Sequence, residues 1–396
     1  MNHLYKTPFG EFKLKRIPDN DINLQAWNSA DTYLLNHLAE QLKTRSLDLE
    51  KARILILNDA FGALTVSMAP FGCDSYSDSF IAHEAIVQNV NENCPEYLEN
   101  VNLLKSTDVF VHNYDVILFK TVKTQAFFTD EILKLAPHIK DDALILGASM
   151  AKNLQKPTLE LLNQVVGKTE ASLTWKKARL IHVQVDPSQI SNSQSNSQQK
   201  PFIQSDVTYQ LDVDLLDKGN EVIHNLANVF SRNKLDIGSR FFLQHFPSLK
   251  RSYKNIIDLG CGNGVLALKA AQRFPDAQIS CIDESYMAVA SARLTLEENL
   301  TGENYHNFIA ANGLTGIKGS ADLILCNPPF HQGHVVGDAI AWQMFRQSKK
   351  VLERGGELWV VGNRHLAYHL KLKNLFGNQK LIASNNKFVI LKAVKI

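Results

Sequence analysis

At 396 residues with 45% hydrophobic content, the chain can bury about two domain-sized cores, and its formal charge of +2 excludes a strongly basic protein dedicated to nucleic acid. Its five cysteines (Cys73, Cys94, Cys261, Cys281, Cys326) contain no C-x-x-C pair, which argues against a zinc ribbon or a dithiol redox motif. No apolar run approaches the roughly 18 residues of a membrane span, and Met1 to Arg16 lacks a hydrophobic signal core, so a cytoplasmic, membrane-free protein with reduced cysteines is expected.

Along the chain, short β-branched runs alternate with longer helical patterns, the signature of β-α-β units and a mostly parallel sheet covered on both faces. The first half carries Gly62-Ala-Leu-Thr-Val66, Asp115-Val-Ile-Leu-Phe119 and Gly167 to Lys177. A stretch rich in Ser, Gln and Asn follows, with almost nothing to bury, and predicts a linker over 186–206. It separates a domain at 1–185 from a domain at 207–396. In the second half, strands are expected near 255–259, 278–283, 307–311, 322–326, 356–362 and 387–394. Helices are expected over 264–274, 285–299 and 338–352, the last stopped by Gly355-Gly356.

The two halves overlay. Gly62 to Val66 matches Gly264 to Leu268 at an offset of about 202, Asp115 to Phe119 matches Asp322 to Cys326 at about 207, and Gly167 to Lys177 matches Gly377 to Lys387 at about 210. Three anchors in order predict an α/β chain of two tandem Rossmann-like domains made by internal duplication.

Asp258-Leu-Gly260-Cys-Gly262-Asn263-Gly264 follows a strand and opens a helix, so a tight backbone turn presents amide groups to a ligand. Asp283, at the end of the next strand, is suited to a pair of ribose hydroxyls, with Glu284 beside it. These two features alone also suit a nicotinamide enzyme. Asn327-Pro328-Pro329-Phe330, after the run Asp322 to Cys326, separates the readings. The lone pair of an amine on a purine is delocalised into the ring. Two acceptors at its N–H groups, the Asn327 side-chain oxygen and the Pro328 carbonyl, would favour the pyramidal form that attacks. The prolines stiffen the turn, and Phe330 offers a stacking face for a base.

Asn312 is placed either to read an adenine edge or simply to turn the chain before Gly313. The segment Phe230 to Gly238 either covers the cofactor's amino-acid end or starts a surface helix at Asp236. His331 and His334 form an H-x-x-H pair, but no carboxylate or cysteine cluster completes a metal site, so no metal is expected. Through the repeat, Gly260 and Gly262 become Asn58 and Ala60, and Asn327 to Phe330 become Lys120 to Lys123. The first half is therefore expected to bind no cofactor. Lys120, Lys123, Lys176, Lys177 and Arg179 are either phosphate contacts or a solvated charged face.

These residues resemble the Rossmann-like S-adenosylmethionine methyltransferases and, within them, the RsmC/RlmG family of ribosomal RNA guanine-N2 methyltransferases. Leu24 to Leu35, Ile56 to Leu64 and Asn327-Pro-Pro-Phe-His331 look like the branch that acts on 23S rRNA. The resemblance covers nearly the whole chain except the linker. It implies S-adenosyl-L-methionine as cofactor, a catalytic second domain, a degenerate first copy used in RNA recognition, and one methyl transferred to N2 of a guanine. A monomer acting on 23S rRNA is the expectation. The Asn-Pro-Pro motif is shared with enzymes of adenine N6 and of protein glutamine, so those amines, 16S rRNA, and an assembly factor that only senses the cofactor stand as alternatives.

Overall fold

The computed structural model describes residues 4–18, 24–45, 47–191, 206–211, 215, 219–301, 306–329 and 333–396. The chain divides into two compact units, Met1–Ser205 and Asp206–Ile396. Most of the expected linker, 192–205, lies outside the described residues.

The first unit opens with a hairpin of β1 (Leu4–Thr7) and β2 (Gly10–Lys13). Its main sheet holds β3 (Ile54–Leu57), β4 (Cys73–Ser77), β5 (Val101–Lys105), β6 (Tyr114–Lys120), β7 (Ile139–Met150), β8 (Thr169–Ala171) and β9 (Ala178–Val183). Their spatial order is β5-β4-β3-β6-β7-β9-β8. The first five run parallel and β9 runs against both of its neighbours. Ile54-Leu-Ile-Leu57 is buried throughout, as a central parallel strand covered on both faces must be.

The second unit repeats this plan. A hairpin of β10 (Val207–Gln210) and β11 (Val222–Asn225) precedes β12 (Asn255–Leu259), β13 (Gln278–Asp283), β14 (Asn307–Ala310), β15 (Ala321–Cys326), β16 (Leu352–Asn363), β17 (Lys380–Ser384) and β18 (Phe388–Val394). The order β14-β13-β12-β15-β16-β18-β17 is the first sheet's order, strand for strand. One core lies on one face of this sheet around Phe242, Leu268, Ile279 and Trp359, and a second on the other around Ile324, Phe345, Tyr368 and Leu372.

Polar pins recur at matching places, so the duplication extends beyond topology. Gly62 and Gly264 both enter their helices in the left-handed region, with φ of 86° and 77°. Asp115 accepts from the Arg53 amide ahead of β3, and Asp322 accepts from the Lys254 and Asn255 amides at the start of β12. Asn93 closes the helix Phe80–Asn93 and bonds both the amide and the carbonyl of Lys13, and Asn299 at the end of Tyr286–Asn299 does the same to Val222.

Two expectations change. The helix Gly333–Val351 starts earlier than the sequence pattern suggested and passes straight into β16, so Gly355-Gly356 is not its stop. Gly355 has φ of 82° inside β16, where the pairing with β15 slips register. Strand β17 and the hairpin β10–β11 were not expected; their residues are mostly exposed or half-exposed, so these short runs carry little apolar signal.

Candidate active site

The glycine turn, Asp283 and Asn327 meet at the carboxyl edge of β12, β13 and β15, where open α/β sheets bind ligands. Leu259 pairs with Ile282 on one side and Cys326 on the other, so the residues that follow all three emerge together. Gly260 (φ 75°), Gly262 (φ 53°) and Gly264 (φ 77°) adopt conformations that side chains disfavour. A Cβ on Gly262 would meet no atom within 4 Å, so the turn opens onto free space there. A Cβ on Gly264 would lie 2.8 Å from Cα of Ala292, so that glycine exists for helix packing.

The carboxylates hold the turn from beneath. Asp283 accepts the Gly262 amide at 3.0 Å through one oxygen and the Ser285 amide at 3.0 Å through the other. Glu284 is exposed at the same rim. Asp258 is buried, with Oδ2 accepting the Ala267 amide at 3.0 Å and Oδ1 lacking a partner. Burial pushes its carboxyl up to about 7, against the Ala267 hydrogen bond and with added repulsion from Asp283.

Two expected cofactor contacts are engaged inside the protein. The Asn263 side chain donates to Tyr209 Oη and to Asn225 Oδ1, both at 2.9 Å, and so ties the turn to the β10–β11 hairpin. Asn312 accepts from Gln343 Nε2 at 2.9 Å, and Gly313 after it has φ of 59°, which is the turn reading of that pair.

Asn327 carries the most informative geometry. Its Nδ2 donates to Asp236 Oδ2 at 3.2 Å and contacts Ser239 Oγ at 2.9 Å. An ionised carboxylate only accepts, so the amide must turn its nitrogen toward Asp236 and its oxygen away. That oxygen is buried and has no partner. A Cβ on Gly238 would come within 3.6 Å of it, so the glycine leaves the space beside the acceptor clear. The turn lies close by: a Cβ on Gly260 would stand 3.9 Å from the Asn327 carbonyl. Pro328 is buried and Pro329 exposed, whereas Phe330 and His331 lie outside the described residues, as does the side chain of His334. Among the described residues no group of three metal-ligating side chains occurs.

Asp236 and Ser239 escaped the sequence reading as partners of Asn327. Asp236 was legible as a helix start, and it does cap Ile237–Leu243 by accepting the Ser239 amide. Nothing in the spacing links it to a residue 91 positions later.

In the first unit the same register positions hold different chemistry. Leu57 pairs with Tyr76 and Phe119, so Asn58 stands where Gly260 stands and Lys120 where Asn327 stands. Asn58 Nδ2 donates to both oxygens of Glu131, at 2.9 and 3.0 Å, and burial holds that carboxyl well above its ordinary range. Lys120 forms an ion pair with Asp31 and is largely buried, so it is not the open phosphate contact expected. Arg179 likewise donates to the Ser172 and Ala171 carbonyls. Lys123, Lys176 and Lys177 are exposed.

A doubly wound sheet in this strand order, with a glycine turn, an acid at the second strand end and Asn-Pro-Pro at the fourth, defines a Rossmann-like methyltransferase. Residues 220–392 match the family described as Methyltransferase small domain, and residues 2–187 match the RLMG N-terminal domain. The chain is 42% identical to Ribosomal RNA large subunit methyltransferase G of Vibrio vulnificus (strain YJ016) over 97% of both chains. It is 42% identical to the protein of the same name from Pseudomonas paraeruginosa (strain DSM 24068 / PA7), over 99% of this chain and 100% of that one. A solved T. thermophilus 16S rRNA N2 methyltransferase (RsmC), in complex with AdoMet and guanosine, superposes with a TM-score of 0.75 at 16% identity, over 99% of this chain and 97% of that one. The last likeness establishes the two-unit fold. The chain belongs to the ribosomal RNA large subunit methyltransferase G family.

Proposed function

We propose that this protein transfers a methyl group from S-adenosyl-L-methionine to the exocyclic N2 of a guanine in 23S rRNA. The observation that carries this reading is the Asn327 amide: anchored at its nitrogen, it directs a buried, unpartnered oxygen beside the glycine turn. The residues present suit the cofactor. The Gly262 turn opens onto free space, Asp283 and Glu284 lie at the end of β13, where acids suit ribose hydroxyls, and the Asp258 to Gly264 turn supplies backbone amides. When bound, S-adenosylmethionine supplies an electrophilic sulfonium methyl.

The chain's own residues then act by positioning. Asn327 Oδ1 and the Pro328 carbonyl accept the two N–H groups of the amine, pyramidalise it and point its lone pair toward Gly260. No side chain must take a proton before attack, because the amine can shed it to water afterwards, so catalysis is mainly orientation and electrostatics. Phe330 supplies a stacking face. The first unit, whose equivalent site is filled by Glu131 and the Lys120–Asp31 pair, serves in RNA recognition. No described helix is long and apolar enough to cross a membrane. A cytoplasmic monomer fits the substrate.

Incubation with methyl-labelled S-adenosylmethionine and separate unmodified 23S and 16S rRNAs, followed by nucleoside analysis, tests the reading. N2-methylguanosine from 23S rRNA alone is expected. Label in adenosine, or in 16S rRNA alone, would overturn the substrate, and absence of label from both rRNAs and from intact subunits would overturn the enzyme.

A further inference from the structure

Three loops converge at the carboxyl edge of the first unit's sheet, where its partner unit keeps a catalytic edge. Lys123 follows β6, Lys152 follows β7, and Lys176-Lys177 form the turn that leads into β9. Strand register brings these loops together, with Lys120 beside Ala148 and Met150 beside Ala178. Direct bonds then tie them: the Ala151 amide donates to the Lys177 carbonyl at 2.7 Å, and Gln155 Nε2 donates to the Lys123 carbonyl at 3.3 Å. All four lysines are exposed, and none forms an ion pair among the described residues. The other two cations expected at this edge behave oppositely, Lys120 being paired with Asp31 and Arg179 holding the hairpin's own carbonyls.

The turn itself is chemically out of place. Trp175 and Ala178 exchange two backbone hydrogen bonds of 2.8 Å, closing a two-residue hairpin whose central positions both have positive φ, 43° at Lys176 and 65° at Lys177. Asn-Gly is the preferred pair for that turn, because both residues must enter the left-handed region. Two lysines there accept strain and present two ammonium groups side by side. The Lys176 ammonium lies 4.7 Å from the Trp175 ring centroid, and Tyr33 packs against the same indole at 5.1 Å, so one charge is held on a rigid base. Leu173, 90% exposed two residues before, adds an apolar surface next to the cations.

We propose that this edge, led by the Lys176-Lys177 turn, grips the phosphodiester backbone of the substrate RNA. The inference rests on rRNA being the substrate. Lys123, Lys152, Lys176 and Lys177 are the phosphate contacts, and the exposed Leu173 is the apolar surface for sugar or base. Exposed cations without ion-pair partners, lined up along one edge, suit a surface on which charge follows a nucleic-acid backbone.

The test uses the full chain and two variants. Lys176→Asn with Lys177→Gly installs the turn's preferred pair, so Tm should hold or rise, and any lost affinity is not misfolding. Lys123→Ala with Lys152→Ala removes charge without touching the turn. Binding of each to deproteinised 23S rRNA is followed across salt concentration, together with S-adenosylmethionine affinity by calorimetry. The turn variant is expected to weaken rRNA binding about tenfold or more and to flatten the log Kd against log salt slope by about 1.5, as loss of two phosphate contacts requires. Cofactor affinity should not change, so the methylation defect should appear as a raised KM for rRNA. Unchanged rRNA affinity and slope in both variants would overturn the proposal. So would a defect seen only on ribosomal particles and absent on bare RNA, which would assign the edge to a protein. If the wild-type chain binds rRNA through these lysines yet labels none, the edge stands and the assigned reaction falls; if it labels 23S rRNA equally with and without the lysines, the reaction stands and the edge falls.

Discussion

At the scale of single residues, the site turns on how Asn327 is held. Replacing it with Ala removes a preorganised acceptor, and turnover should drop by about 10²- to 10³-fold. Asp236→Asn is the finer probe. Asn caps helices as well as Asp, so stability should scarcely change, but the acceptor-only carboxylate that fixes the amide's orientation is gone. A fall of roughly tenfold in kcat is expected from the misdirected oxygen; a kcat equal to that of the parent would remove Asp236 from the positioning role. Asp258 gives a prediction in pH. Its carboxyl is raised to about 7 by burial, so between about pH 4 and 7 the folded state keeps a proton that the unfolded chain has released. Stability from this group therefore declines as pH rises through that window and is lowest above it. The whole effect is on the order of 4 kcal/mol. Asp258→Asn should gain on the parent in urea melts progressively from pH 4 to 8, and a difference independent of pH would refute the assignment.

At the scale of elements, two glycines of one turn should separate stability from binding. Gly264→Ala drives a Cβ to 2.8 Å from the backbone of Ala292 in the neighbouring helix at a φ of 77°. Overpacking plus backbone strain should cost about 2 to 4 kcal/mol. Gly262→Ala meets open space, so only the strain of its φ, about 1 kcal/mol, should appear in Tm, while S-adenosylmethionine affinity should fall sharply if the proposed cofactor site is the space that the new methyl enters. Equal losses of Tm in the two variants would contradict this division. The central elements were the legible ones in the sequence. Strands β12 and β13 begin and end where the apolar runs do, because strands buried on both faces carry the strongest signal. The hairpin β10–β11 was not legible, since its short strands reach the core through Ile223 and the edge of Tyr209 and are otherwise tied by side-chain bonds such as Asn263 to Tyr209. The role of Asp236 was hidden for a similar reason: its local pattern explains a cap completely, and its second partner is reached only through the fold.

At the scale of the molecule, each unit carries its own core and its own sheet. Residues 206–396 expressed alone should keep cofactor affinity within a few-fold, while affinity for 23S rRNA drops by at least tenfold. Full rRNA affinity in that fragment, measured by filter binding, would assign recognition to the second unit. The repeat was visible in three sequence anchors, but the degeneracy of the first copy has a physical form that the anchors did not reveal. Asn58, at the Gly260 position, bonds the buried Glu131, and the Asn327–Asp236–Ser239 arrangement becomes the Lys120–Asp31 ion pair. The lost site is therefore packed with polar groups that satisfy one another.

The identical strand order of the two sheets also bears on how the nascent chain avoids a wrong exchange. Tandem copies of one topology can trade their central strands while folding, a characteristic failure of multidomain and repeat proteins. Here β3 brings Ile56 to the position at which β12 brings Asp258, two steps before the turn in each. A β12 inserted between β4 and β6 would carry a second acid to the place of Ile56, between Ser75 and Leu118, where buried Asp59 already accepts the Thr65 amide and hydroxyl. In the converse exchange, Asn58 would be separated from Glu131 and leave that acid without its donor. Each copy is thus labelled against its twin by the residues that set their chemistries apart.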